Sequence, residues 1–181
     1  MIVIELIAVI FTLISIYLTV NDNILCWPTG IIGVIFYAVI FYNLNLLADF
    51  SLQLIFLAQS IFAWVNWNKK TELKISYLEN RALVTNLTGA LYMIIFSIAN
   101  NLNGNMPFVD SAIATFSIMA MFLLIKKKVE SWIFWILNDI LLVVMFFINN
   151  MYLSTGLYLI FLSLAISGLF KWIKEEKNEI Q

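Results

Sequence analysis

Seven apolar runs, parted by short polar breaks, set the plan of the chain. They lie near residues 3–20, 25–42, 46–67, 82–100, 107–125, 131–149 and 152–173. Each is long enough to cross a bilayer as a helix, which takes roughly 17 to 25 residues. The breaks are rich in asparagine, at Asn21-Asp22-Asn23, Asn43 to Asn45, Asn100 to Asn105 and Asn149-Asn150. Asparagine accepts turn geometry cheaply. Pro107 suits the first turn of a fifth helix, where a missing N–H costs nothing. The first apolar run has no basic segment before it and no small-residue cleavage site after it, so it reads as a retained helix and not as a signal peptide.

The pattern also repeats. The stretch from Trp27 to Trp67 recurs without a gap 105 positions later, from Trp132 to Trp172. Identical pairs include Trp27 with Trp132, Ile31 with Ile136, Phe41 with Phe146, Asn45 with Asn150, Trp67 with Trp172, and the run Leu54 to Leu57 with Leu159 to Leu162. Apolar composition alone would not return the tryptophans at both ends and the asparagine at the turn. A duplicated unit follows. Helices two and three match six and seven, and the same offset pairs helix one with helix five. The expected fold is therefore an all-α integral membrane protein, with seven transmembrane helices in a 3+1+3 arrangement of two parallel three-helix repeats. Its parts are a first repeat over 1–67, a loop and linker helix over 68–106, a second repeat over 107–173 and a tail over 174–181. Two parallel halves leave a seam, and transporters commonly bind substrate at such a repeat interface near the midplane. Duplication that merely built a scaffold is the plain alternative.

Composition sharpens this picture. The chain is 63% hydrophobic and 12% charged, as membrane proteins are. A net charge of −1 gives no basic surface for nucleic acid. Cys26 is the single cysteine and there is no histidine, so an intrachain disulfide and the commonest metal ligand and general base are absent. With no cysteine–base pair, no clustered carboxylates and no glycine-rich phosphate loop, neither an enzyme nor a cofactor or metal site is expected. The basic residues Lys69, Lys70, Lys74, Arg81, Lys126, Lys127, Lys128, Lys171, Lys174 and Lys177 all fall on one side of the predicted bilayer. The positive-inside rule makes that side cytoplasmic, with the N-terminus outside and the C-terminus inside.

Polar residues within the spans are the candidate chemistry. At 100° per residue, Asp49, Gln53, Ser60, Trp64 and Trp67 share one stripe of helix three, within about 40° of Gln53. Such a stripe should face protein or water. Gln59 and Asn66 form a second line suited to interhelical packing. Helix six carries Trp132, Trp135 and Asp139, with Asn138 adjacent, where helix two has Trp27, Gly30 and Val34. The repeat is symmetric in frame and asymmetric in chemistry. Asp139 lies deep in its span with no Lys, Arg or His at that depth, so it either recognises a ligand's positive charge or hydrogen-bonds a neighbouring helix. Trp27, Trp67, Trp132 and Trp172 sit near cytoplasmic ends and are expected in an interfacial belt. Trp64 and Trp135 lie a turn deeper and are expected to wall a flat ring. On helix four, Asn86 shares a face with Met93, Ser97 and Asn100; on helix seven, Tyr158 occupies the repeat position of Gln53. Asp110 and Asn149 read as helix-start and turn residues.

The segments CWPTGIIGVIFYAVIFY, LLADFSLQLIFLAQSIFAWVNW, PFVDSAIATFS, and ESWIFWILNDI followed by NNMYLSTGLYLIFLSLAISG resemble the PnuC-type nicotinamide riboside transporter family. The resemblance runs from about Cys26 to Trp172 and is weak in helices one and four. It implies a SWEET-like fold in a bacterial inner membrane and facilitated diffusion of a vitamin precursor, trapped afterwards by a cytoplasmic kinase. The implied substrate is nicotinamide riboside; thiamine or another nucleoside-like vitamin is the alternative. The implied partners are that small molecule, the kinase and membrane lipid, with homo-oligomer formation open. It places binding on Gln53, Trp64, Asn66 and Trp67 of helix three and on Trp135, Asn138 and Asp139 of helix six. Asn66 is claimed by both the packing line and the resemblance.

Overall fold

The computed structural model describes residues 2–68, 73–101 and 106–180, so Lys69, Lys70 and the middle of the NNLNGNMPFVD loop lie outside the described residues. Its helices are α1 (Ile2–Val20), α2 (Cys26–Asn43), α3 (Leu47–Asn68), α4 (Arg81–Asn101), α5 (Pro107–Ile125), α6 (Ser131–Ile148) and α7 (Tyr152–Ile180). All seven are long and apolar enough to cross a membrane. They agree with the apolar runs to within a residue or two, except that α7 continues to Ile180 where a tail was expected to begin at 174. The extension is built from Lys and Glu, good helix formers, with Lys171 and Glu175 paired one turn apart at 3.9 Å.

The chain divides into two compact units, Met1–Lys74 and Ile75–Gln181. In the first, α2 packs against α1 and α3; in the second, α6 packs against α5 and α7, and α4 packs on α5. Helices in lipid gain little from the hydrophobic effect and associate through close packing and interhelical hydrogen bonds. The α1–α2 crossing shows the packing requirement: a Cβ at Gly30 would lie 2.8 Å from Ser15 Oγ, and one at Gly33 2.8 Å from Thr12 Oγ1. Only glycine permits that approach. Ser15 Oγ then donates to the Cys26 carbonyl at 2.7 Å across the same contact.

The turns are built alike in both units. Asn45 and Asn150, with φ of 57° and 60°, hold the left-handed residue after α2 and α6. Leu46 N–H donates to Phe41 O and Asn45 N–H to Tyr42 O; Met151 N–H donates to Phe146 O and Asn150 N–H to Phe147 O. This is the Schellman closure, which satisfies carbonyls left over at a helix end. Asp22 and Lys127, with φ of 49° and 50°, close α1 and α5 in the same way, through Asn23 to Leu18 and Lys128 to Leu123.

In the second unit every described basic residue lies at one end, where α4 and α6 begin and α5 and α7 finish. There the segment before α4 is stitched to the α5–α6 turn. Ser76 bridges Lys128 in parallel register, with Ser76 N–H donating to Lys127 O and Val129 N–H to Ser76 O. Both carboxylate oxygens of Glu130 accept the Leu78 N–H, at 3.1 and 3.0 Å. Lys128 Nζ donates to Ser76 Oγ at 2.9 Å. Beneath this strap, Val84, Met119 and Leu123 form a small core with Leu78, Leu91, Phe122 and Phe134.

Candidate functional site

The tryptophans that frame the repeat pair off within each unit. Trp27 meets Trp67 edge to face, with ring centroids 5.0 Å apart and planes at 87°; Trp132 meets Trp172 at 5.4 Å and 88°. Trp27, Trp132 and Trp172 are 3%, 2% and 0% exposed. This corrects the interfacial belt expected for them. A belt indole keeps its N–H in the wet headgroup layer, whereas these three are enclosed and their Nε1 atoms have no hydrogen-bond partner among the described residues. They are packing elements that lock α2 to α3 and α6 to α7. Trp67, also a candidate for binding, is half-buried in its pair.

The candidates in the first unit stand on α3. Gln53 is half-buried, and Trp64 is 44% exposed. Asn66 is half-buried, and its amide donates to Phe62 O of its own helix at 2.7 Å, a local bond that fits the packing role better than ligand capture.

In the second unit the structure brings together the residues with the strongest chemistry. Asn138 and Asp139, neighbours on α6, are 4% and 5% exposed. Ser117 of α5, itself 4% exposed, places Oγ 3.1 Å from Asn138 Oδ1. Trp135, half-buried, stands one turn before Asp139 on α6. No cationic side chain pairs with Asp139 among the described residues. The site can therefore offer a carboxyl and an amide in a low-dielectric setting, with an aromatic ring nearby. Tyr158 stacks on Phe146 at 5.3 Å and meets Phe161 edge-on at 5.4 Å, so its ring is part of an aromatic cluster. Asn86 is exposed on α4. Asp110, Asn149 and Asn150 sit at helix ends, as their sequence places suggest.

The repeat alignment shows why these side chains occur together in one unit only. At the offset of 105, Gly30 and Gly33 of α2 become Trp135 and Asn138 of α6, while Ser15 and Thr12 of α1 become Ala120 and Ser117 of α5. In the first unit the two glycines admit the hydroxyls of α1. In the second, the large and polar side chains come from α6 and the small residues from α5. Ser117 was not among the sequence candidates. Its signal was the repeat alignment itself, which sets a hydroxyl opposite position 138.

Along nearly its whole length the chain is similar to known transporters. The model of the family described as nicotinamide mononucleotide transporter matches residues 2–174. The nicotinamide riboside transporter PnuC of Escherichia coli K12 is 26% identical over an alignment of 207 positions, covering 97% of this chain and 87% of the relative. The riboflavin/roseoflavin transporter RibM of Streptomyces davaonensis is 24% identical over 179 positions, covering 93% and 83%. The crystal structure of the vitamin B3 transporter PnuC superposes with a TM-score of 0.81 at 19% identity, covering 97% of this chain and 82% of that one. With seven apolar helices and a family match along nearly its whole length, this multi-pass membrane protein belongs to the nicotinamide mononucleotide transporter family.

Proposed function

We propose that the protein is a uniporter for a small, flat, cationic vitamin precursor, nicotinamide riboside in the first place, in a bacterial inner membrane. The observation that carries this reading is Asp139, an acid 5% exposed within a membrane span, next to the buried Asn138 and without a cationic side-chain partner among the described residues. Ionisable groups in membrane spans are costly and mark substrate pathways. A permanently charged pyridinium ring would supply the missing positive charge, and Trp135 a face to stack on. Nicotinamide riboside transport by the E. coli relative supports the substrate class; riboflavin and roseoflavin transport by the Streptomyces relative keeps larger ring systems in view. Thiamine, whose thiazolium is also a flat cation, is the second substrate reading.

The same proposal takes the chain as two three-helix repeats of one orientation joined by α4, with the N-terminus outside. The shared Schellman turns and the twin tryptophan pairs support the repeat. The basic residues gathered at one end of the second unit support the orientation. Binding would draw on Trp135, Asn138 and Asp139, with Gln53, Trp64, Asn66, Trp67, Asn86 and Tyr158 as further candidates. Active coupling to protons normally uses a chain of titratable groups in the membrane, whereas the site offers Asp139 alone. Net inward flow would then depend on a cytoplasmic kinase that phosphorylates the substrate.

The test is uptake of labelled nicotinamide riboside by proteoliposomes. Equilibration to the external concentration without an imposed gradient is the expected result. Accumulation above that level that collapses with an uncoupler would sink uniport. Transport of thiamine but not the riboside would move the assignment to the second reading.

A further inference from the structure

We propose that the groove between α4, α5 and α6 in the second unit binds one acyl chain of an anionic phospholipid, whose headgroup phosphate meets Arg81. The site is independent of the substrate reading and of the direction in which the chain is inserted.

The groove has a volume of about 470 Å³, within the range of ligand sites. Thr85, Thr88, Gly89 and Tyr92 form its α4 side, while Phe108, Phe116 and Phe134 wall it from α5 and α6. Its threonine hydroxyls are spent on their own helices. Thr85 Oγ1 donates to Arg81 O at 3.0 Å, Thr88 Oγ1 to Val84 O at 2.8 Å and Thr115 Oγ1 to Ser111 O at 2.6 Å. Tyr92 Oη is turned to Phe108 O, 3.5 Å away. The surface left to a ligand is methyl groups and aromatic rings. A hydrophilic ring compound would give up its hydrogen bonds to water there and gain none. A hydrocarbon chain loses no polar contact and gains dispersion contacts with the rings.

Length and charge tie that chain to an anionic headgroup. Arg81, Thr85, Thr88 and Tyr92 follow one another at helical spacing and lie on one face of α4. Tyr92 stands 11 positions beyond Arg81, which is about 16 Å along the helix. That is close to half of the roughly 30 Å hydrocarbon core, the depth of one leaflet. A headgroup at Arg81 therefore brings the end of its chain to the rings of Tyr92, Phe96 and Phe108, whose centroids are 5.8, 6.0 and 6.2 Å apart. The Arg81 side chain is 76% exposed, with Nε 3.8 Å from Glu130 Oε1, a contact that holds it weakly. Glu130 turns both oxygens to the Leu78 N–H, and Glu79 is the exposed acid nearby in sequence. A guanidinium fork takes a phosphate in two parallel hydrogen bonds. Lys126, Lys127 and Lys128 follow α5 at this same basic end, and anionic lipids are drawn to such ends.

The experiment places the full chain in phosphatidylcholine vesicles with a trace of phosphatidylglycerol that carries a photoactivatable diazirine on its acyl chain. Phosphatidylcholine bearing the same group is the comparison. Adducts formed on illumination are mapped by peptide mass spectrometry. The phosphatidylglycerol probe should label Tyr92, Phe108 and Phe116 about fivefold more than the phosphatidylcholine probe, and Arg81→Gln should abolish that preference. Gly89→Leu stands a side chain in the groove. A Cβ at Gly89 meets nothing within 4 Å and leucine is the better helix former, so the fold is kept. Labelling should then fall about tenfold, the loss of about two buried methylenes. Ala90→Leu, on α4 outside the groove lining, should label as wild type. Equal labelling by the two probes would overturn the anionic headgroup. Gly89→Leu labelled like wild type would assign the adducts to the general lipid shell and overturn the groove as a site. No label in the wild-type groove would overturn the proposal, and cross-linking of Gly89→Cys between copies by a bismaleimide would then make a second copy the occupant.

Discussion

Replacing Gly168 with alanine should loosen the α6–α7 contact, and the structure sets the size of the effect. A Cβ at this buried position would lie 2.6 Å from three atoms of the Trp132 ring, Cη2, Cζ2 and Cζ3. The indole has no room to retreat, since it is 2% exposed and its far side is held by Trp172, edge to face at 5.4 Å. Overpacking a tight core costs about 1–3 kcal/mol, and three ring atoms in collision argue for the upper part of that range. Against this, alanine is favoured over glycine in a helix interior by about 1 kcal/mol. The expected net loss is about 2 kcal/mol, which for a chain of this size lowers the melting midpoint by roughly 4–8 °C. Gly156→Ala supplies the control on the same helix. A Cβ there meets nothing within 4 Å, so only the propensity gain remains and the midpoint should rise by roughly 2–4 °C. Thermal unfolding in one detergent, followed by tryptophan emission, reads both variants together. If Gly168→Ala melts at or above wild type alongside Gly156→Ala, Trp132 is not wedged as described and the tryptophan pair does not lock the helices.

Two further outcomes follow from the site and the strap. Asp139→Asn removes the carboxylate while keeping its shape, so affinity for nicotinamide riboside should fall about tenfold or more and that for benzamide riboside by less than about threefold; equal losses in a titration would remove the charge role. Glu130→Ala leaves the Leu78 N–H without its acceptor at a position where Glu130 is 8% exposed, which should cost about 2 kcal/mol and lower the melting midpoint by a few degrees. Glu130→Gln, which keeps an acceptor oxygen, should lose about half as much. Arg81 lies 3.8 Å away with its side chain 76% exposed and contributes little to that figure; a Glu130→Ala protein as stable as wild type would show that the strap does not hold.

The spans were legible because the transfer of apolar side chains into lipid is a local, additive property of a window of sequence. That is why α2 to α6 begin and end within a residue or two of the apolar runs. The asparagine turns were legible for a related reason, since the left-handed residue that closes a helix is chosen by its own backbone preference. Lys127 adopts the same conformation without advertising it by residue type. The end of α7 was missed because apolar character stops near Trp172 while helix propensity continues through Lys174 to Lys177.

By itself the sequence determined seven helices, their breaks, the internal repeat and the family, all of which depend on composition and spacing along one strand of chain. The tertiary structure decided which way each helix turns about its own axis. That rotation is set by where small residues let two helices close together: Gly30 and Gly33 on α2, but Ala120 and Ser117 on α5. It is why the paired tryptophans went inside and not to a lipid-facing belt. It is also why Asn138 met Ser117, a partner that no periodicity on α6 alone could name.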